Sequence, residues 1–454
     1  MLVNRVERGR YLDSVALMRV SRRLEAQAGV EAAALMIGSP SNKALLREAG
    51  LLAPEGENAT ANDLVIAVRG PQARTASETA LALLSEKVES AAPGMQTSRT
   101  LRGALELLPQ ANLALISIPG EFAAYEARRA LERGLHVLLF SDNVSLDDEL
   151  ALKRLAAQKK LLLMGPDCGT AIIGGTPLAF ANVVPRGDIG IVSASGTGLQ
   201  EVSSLIARMG GGISHGIGVG GRDLDARIGA LGTLAALDAL ENDPATSRIV
   251  LISKPPAPEV AKKVVERVKR IAKPSVVCFL GLDQPGIAPT LRDAAEQAMG
   301  KSLENETLRV GKNRGLVRGL YCGGTLCTEA EIIFRRKGLT GHQFIDLGAD
   351  EYTRGRPHPM IEPEIRNDHV RRALSDPSVA VVLVDVVLGH GAHDNPAGVL
   401  ARNELNRKTV VASVTGTEQD PQVWSRQAAL LRAAGVLVAP SNAHAAELAA
   451  SVIS

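Results

Sequence analysis

Short apolar runs alternate with helix-period stretches along almost the whole chain. Strand candidates include 32–38 (AAALMIG), 63–70 (DLVIAVRG), 113–120 (LALISIPG), 136–142 (HVLLFSD), 160–167 (KLLLMGPD), 189–195 (IGIVSAS), 248–254 (RIVLISK), 275–281 (SVVCFLG), 315–324, 343–348, 379–387 (VAVVLVDVV), 409–414 and 435–441. Between most of them the pattern predicts helices, as at 121–133, 257–271 and 422–434. This βαβα alternation predicts α/β layers with mainly parallel sheets. It divides the chain into four parts: a small α/β unit at 1–95, a second α/β unit at 97–184, a third at 187–300 and a fourth at 316–454. The helix of 76–90 and the turn AAPG (91–94) close the first part. The polar segment 301–315 reads as a linker.

The third and fourth parts repeat one plan. GIVSASGTGLQEVSSLI and GLYCGGTLCTEAEIIF each run from an apolar strand through a Gly/Ser/Thr turn into a helix. A helix start offers unpaired N–H groups and a partial positive charge. Glycines let a ligand approach the backbone, and hydroxyls cap or donate. Ser193, Ser195, Gly196, Thr197 and Gly198 in one turn, and Gly323, Gly324 and Thr325 in the other, are therefore candidate phosphate or carboxylate binders. Neither turn is a Walker A loop, because no Gly-Lys-Ser/Thr follows.

Other strand-end loops add candidates. MGPDCGT supplies Asp167, Cys168 and Gly169, and GIGVGGRD supplies Gly220 and Gly221, as a substrate-binding set. His390, in LGHGAHD, is the first acid/base candidate, and His358, in GRPHP before a helix expected near Glu364, is the second.

Composition narrows the partners. Aromatic residues are 2% of the chain and net charge is +2, which gives no surface for stacking bases or neutralising a polyanion, so no nucleic acid is expected. No apolar run approaches the ~18 residues of a membrane span, so no membrane is expected. The four cysteines are scattered, which predicts neither disulfides nor a structural metal, and a reducing cytoplasm as the compartment.

The motifs also carry a resemblance. Residues 97–300, with MGPDCG, GDIGIVSASGTGLQEV, GIGVGGRD and ENDPATSRIVLI, resemble the α subunit of succinyl-CoA synthetase. The last part is similar to the ligase domain of that enzyme's β subunit. The whole chain, with RYLDSVALMRVS, GSPSNKALL, YCGGTLCTEAE and GRPHPMIEPEIR, resembles the FdrA family of acyl-CoA-synthetase-like proteins. The resemblance implies tandem flavodoxin-like and Rossmann-like parallel-sheet domains. In the synthetases two such helices point at a phosphorylated histidine. Here the corresponding loop, 282–298, contains no histidine, and LISKPPAPE stands where the supporting glutamate would be. The synthetase's glycine-rich CoA turn and the ATP-grasp elements are missing as well. TSRTLRG (97–103) only echoes the transcarbamylase phosphate motif. The family implies a subunit of an oxamate carbamoyltransferase in anaerobic allantoin breakdown, with carbamoyl phosphate as substrate and no required cofactor. The alternatives are an acyl-CoA ligase or CoA transferase using CoA and ATP, and a non-catalytic subunit. The implied partners are small-molecule anions and further subunits in an oligomer.

Overall fold

The computed structural model describes residues 1–10, 12, 14–25, 27–86, 98–304, 311–353 and 357–453. They form two compact units, Met1–Gln110 with Thr353–Pro357, and Ala111–Tyr352 with His358–Ser454. The turn at 91–94 and residues 305–310 of the expected linker lie outside the described residues.

The first unit is built on β1 (Leu2–Glu7), β2 (Ala32–Ile37) and β3 (Leu64–Arg69), antiparallel in the order β1-β3-β2. Central β3 buries both faces. Leu64, Ile66 and Val68 pack with Leu17, Leu24 and Ala80 of the helices Ser14–Glu25 and Ala73–Glu86. Val65 and Ala67 face Leu46, Leu51 and Ala59 on the other side. The period of two along a strand produces this two-sided core. Thr97 of the echo TSRT lies outside the described residues, and its last residue is a helix cap: the Thr100 hydroxyl accepts from Gly103 N at 3.1 Å and opens the exposed helix Leu101–Leu107.

The second unit holds three sheets. β4 (Leu113–Ile116), β5 (His136–Leu139) and β6 (Leu163–Met164) are parallel. The hairpin β7 (Thr170–Ile173) and β8 (Thr176–Ala179) follows. Then come β9 (Arg186–Ser193), β10 (Ile213–Gly218), β11 (Arg248–Ser253) and β12 (Ser275–Phe279). The last sheet has β13 (Leu316–Tyr321), β14 (Gln343–Asp346), β15 (Val379–Val387), β16 (Thr409–Thr415) and β17 (Leu437–Ala439). The two larger sheets run β10-β9-β11-β12 and β14-β13-β15-β16-β17. This is the same flavodoxin-like order twice, as the repeated sequence plan requires. Every residue of β15 is buried, which is why its sequence, Asp385 apart, is an apolar run instead of an alternation.

One pairing departs from expectation. The hairpin β7–β8, read as part of the 97–184 unit, extends the next sheet, with Ile172 opposite Gly216 and antiparallel to β10. It covers an edge that β10 would otherwise leave unpaired. In the last sheet, the helix expected near Glu364 begins as a 3-10 turn, Pro363–Arg366, and continues as Asn367–Ser375.

Strand registers bring the functional loops together. Ser193 ends β9 beside Gly218 of β10 and Ile252 of β11, and Tyr321 ends β13 beside Asp346 of β14. One apolar cluster runs across both ligase-type sheets, through Ile191, Leu205, Cys278, Leu326, Ile333 and Val381. The two strand-to-helix turns therefore sit on a common core.

Candidate active site

The turns after β9 and β13 meet. Ser195 caps the helix Gly196–Arg208, its hydroxyl accepting from Gly198 N at 2.8 Å. The same hydroxyl donates to Thr325 Oγ1 at 2.6 Å, and Thr325 is the second residue of the helix Gly324–Arg336. A Cβ built on Gly323 would lie 3.1 Å from the Thr197 methyl, so the backbones of the two turns also approach closely. Among the described residues no acceptor meets the N–H groups of Gly196, Thr197, Gly324 or Thr325. Two positive helix ends thus open side by side.

Each turn is braced from within. The Ser193 hydroxyl, fully buried, donates to Ser195 O at 2.7 Å and accepts from Ser195 N at 3.1 Å. In the second turn Asp385 Oδ1 accepts from Cys322 N at 2.8 Å, and Oδ2 accepts from Gly323 N at 2.7 Å. Asp385 pairs with Arg366 at 2.9 Å, and both side chains are inaccessible to solvent. Buried charge survives only when paired in this way. Part of the second turn's donor set is therefore filled by an internal carboxylate, while the N–H groups of Gly324 and Thr325 meet no acceptor among the described residues.

Lys254 and Asp346 complete the surroundings. A Cβ on Gly324 would lie 2.3 Å from Asp346 Oδ2 and 3.0 Å from Lys254 Nζ. Burial raises the Asp346 carboxyl, and the Lys254 charge holds it back. Sequence reasoning missed Lys254, Asp346, Asp385 and Arg366. One signal was available: Asp385 is the single charge in VAVVLVDVV, and a charge in a two-sided strand needs a buried partner.

The expected substrate set assembles beside this point. Gly220, at φ +87°, lies where a Cβ would be 2.3 Å from Pro166 O, and Gly221 faces the Asp167 carboxylate. Surrounding protein and then the Asp142 and Asp350 carboxylates push Asp167 up to about 6, against Arg222 and Lys254. The Asp167 side chain is nonetheless exposed, so solvent screening weakens that shift. Cys168 faces inward, with its thiol donating to Thr170 O and Gly218 O, and burial pushes it up to about 12. It packs in the apolar core under the loop. Gly169 O accepts from Phe180 N at 2.8 Å and ties that loop to the end of β8.

The two histidines differ. His390 is exposed, and its loop is fixed by backbone: His390 N donates to Ala181 O at 2.9 Å, and Gln422 clamps Gly389 through both its N–H and its carbonyl. His358 lies near the second turn: a Cβ placed on Gly348, just past β14, would be 2.4 Å from its Nε2 and 2.8 Å from Cys322 O. Burial lowers it to about 4, so it is neutral near pH 7. Its Nδ1 accepts from Met360 N at 3.1 Å, which leaves the proton on Nε2 as a donor.

Comparison with known proteins follows this division. Residues 320–452 match the CoA-ligase family, and residues 1–101 match the AllF heavy metal-associated domain. YahF of Escherichia coli (strain K12) is 42% identical, over 98% of this chain and 97% of YahF. The chain belongs to the FdrA family. More distant relatives of this chain include succinate–CoA ligase [ADP-forming] subunit alpha 2 of Archaeoglobus fulgidus, 28% identical over 44% of this chain and 73% of that one. Another is the ADP-forming sulfoacetate-CoA ligase subunit SauD of Bilophila wadsworthia, 27% identical over 53% and 75%. Among solved structures, PH0766 from Pyrococcus horikoshii OT3 overlays with TM-score 0.34 at 18% identity, covering 80% of this chain and 87% of that one. This FdrA chain is thus a CoA-ligase-type α/β protein carrying an AllF-type domain. Residues 1–101 contain neither cysteine nor histidine, and no cluster of three metal-binding side chains exists among the described residues. The donor set does not fit a heavy metal. Among the described residues no helix is long and apolar enough to cross a membrane.

Proposed function

We propose that this FdrA chain is a subunit of an oxamate carbamoyltransferase, binding carbamoyl phosphate at the two adjoining helix ends. The observation that carries the reading is the Ser195–Thr325 contact, with unpaired N–H groups around it and no histidine in 282–298. Such a frame suits a phosphate that arrives and leaves with the substrate, not one parked on the protein. The oxamate amide nitrogen attacks the carbamoyl carbon. The bond between the carbamoyl carbon and the bridging phosphate oxygen breaks, and oxalurate and phosphate result. The proton lost by the amide passes to phosphate through a protein base, with exposed His390 as the candidate. The helix ends, the Thr325 hydroxyl and Lys254 stabilise the phosphate as its charge grows. Asp167 accepts from the oxamate amide, while Gly220 and Gly221 leave backbone room for its carboxylate. His358, a neutral donor, steadies the second turn.

A second reading, an acyl-CoA ligase subunit, is favoured by the CoA-ligase match at 320–452 and by the succinate–CoA ligase relatives. The deciding experiment follows carbamoyl phosphate plus oxamate to oxalurate and phosphate, with the chain alone and with its co-purified partners. Turnover with partners supports the proposal. CoA-dependent turnover with a carboxylic acid and ATP, and none with carbamoyl phosphate, would replace it with the second reading.

A further inference from the structure

Beneath the two turns lies a buried polar bridge with matching members on both helices. Glu201 is five residues past Gly196, and Glu329 is five residues past Gly324. Each carboxylate caps a helix of the opposite sheet's layer. Glu201 Oε1 accepts from Asn442 N at 2.9 Å, at the start of the helix Asn442–Ile453, and Oε2 accepts from the Thr415 hydroxyl. Glu329 Oε1 accepts from Leu291 N at 2.6 Å, at the start of the helix Leu291–Met299. Asn442 joins the pair: its side-chain amide donates to Glu329 Oε2 at 2.7 Å and to Leu326 O at 2.9 Å. All three residues are at most 2% exposed.

An apolar contact would hold these helices together but leave them free to slide. Hydrogen bonds are directional, and two carboxylates at one height on each helix resist axial slippage. A slip of one residue, about 1.5 Å, would misplace the N–H groups that open beside Ser195 and Thr325. We propose that Glu201, Glu329 and Asn442 are positioning residues that keep the two helix ends in register for the bound anion. This rests on the reading that the turns hold phosphate.

The donor and acceptor inventory separates this role from simple packing. In Glu201→Gln the new amide group faces the Thr415 hydroxyl, which accepts as readily as it donates. In Glu329→Gln it faces a backbone N–H or the Asn442 amide, both of which only donate. Asn442 cannot turn over without losing its bond to Leu326 O. Titration calorimetry of inorganic phosphate and carbamoyl phosphate into the full chain, with circular dichroism to check folding, tests the assignment. Glu329→Gln and Asn442→Ala are expected to weaken binding about tenfold, and Glu201→Gln far less. Equal losses in the two glutamine variants, or no loss in Glu329→Gln, would overturn the assignment alone. No phosphate binding by the wild type would instead remove the reading of the turns, and the assignment with it. If Asn442→Ala does not fold, the comparison of the two glutamine variants decides.

Discussion

Gly324 has an ordinary helical start, half-exposed, and yet no room for a side chain on its outer face. A methyl there would lie 2.3 Å from Asp346 Oδ2, closer than contact permits, and would crowd Lys254 Nζ at 3.0 Å. The backbone itself does not object to alanine, since its φ is not in the left-handed region. Gly324→Ala therefore separates ligand binding from folding. Carbamoyl phosphate should bind about tenfold more weakly, with a thermal midpoint close to wild type, as the carboxylate and ammonium are pushed off the helix end. Unchanged affinity by calorimetry would show that the anion does not sit at this end. At this scale the sequence marked the two turns by their glycines and hydroxyls, because Gly, Ser and Thr punctuate a strand-to-helix turn and cap the helix. It was silent about Lys254 and Asp346, which reach the turn from the ends of β11 and β14, so that only the strand registers reveal them.

At the scale of elements, the repeat of strand, turn and helix was legible because both copies keep the same apolar period and the same Gly/Ser/Thr punctuation. The crossed capping of helices was not. Glu201 and Glu329 fall where an amphipathic helix pattern puts polar positions, and nothing local says that either is buried. Their partners are more than 100 positions away for the Glu329–Asn442 bond and more than 200 for the Glu201–Asn442 bond. Burial has a thermodynamic consequence. It raises the Glu329 carboxyl from 4.5 to about 7, while bonds from Asn442 and Leu291 pull it down, Glu201 adds to the rise and Arg292 opposes it. A folded-state value above the unfolded one means the folded protein binds the extra proton. The stability from this group is complete below about 4.5 and declines as pH climbs through about 7. Urea denaturation between those values should show Glu329→Gln with a flatter pH dependence than wild type. Parallel curves would mean that Glu329 is already ionised in the folded protein throughout that range.

At the scale of the whole molecule, the FdrA chain has a CoA-ligase-type fold in which two strand-to-helix turns meet. The doubled flavodoxin-like order and the shared core bring the two helix starts together, and the sequence around them resembles that of succinyl-CoA synthetase. The loop leaving β12, which that resemblance assigns to the histidine, runs LDQPGIAPT into the helix Leu291–Met299 without one. The structure distinguishes the two candidate histidines, His358 and His390. His358 has its Nδ1 occupied by Met360 N and stays neutral, so its lone pair is not free to attack phosphorus. His390 is exposed, but its loop is anchored to Ala181 by backbone and to Gln422 by side chain, which fixes where the ring can reach. Labelled ATP or GTP should therefore leave no acid-labile, base-stable phosphate on the protein, with or without its partners. Carbamoyl phosphate should still raise the thermal midpoint, since ligand that binds only the folded state stabilises it by mass action. Stoichiometric labelling that disappears in His390→Asn would make His390 a relay nucleophile, and the acyl-CoA ligase reading would then describe this chain better than carbamoyl transfer does.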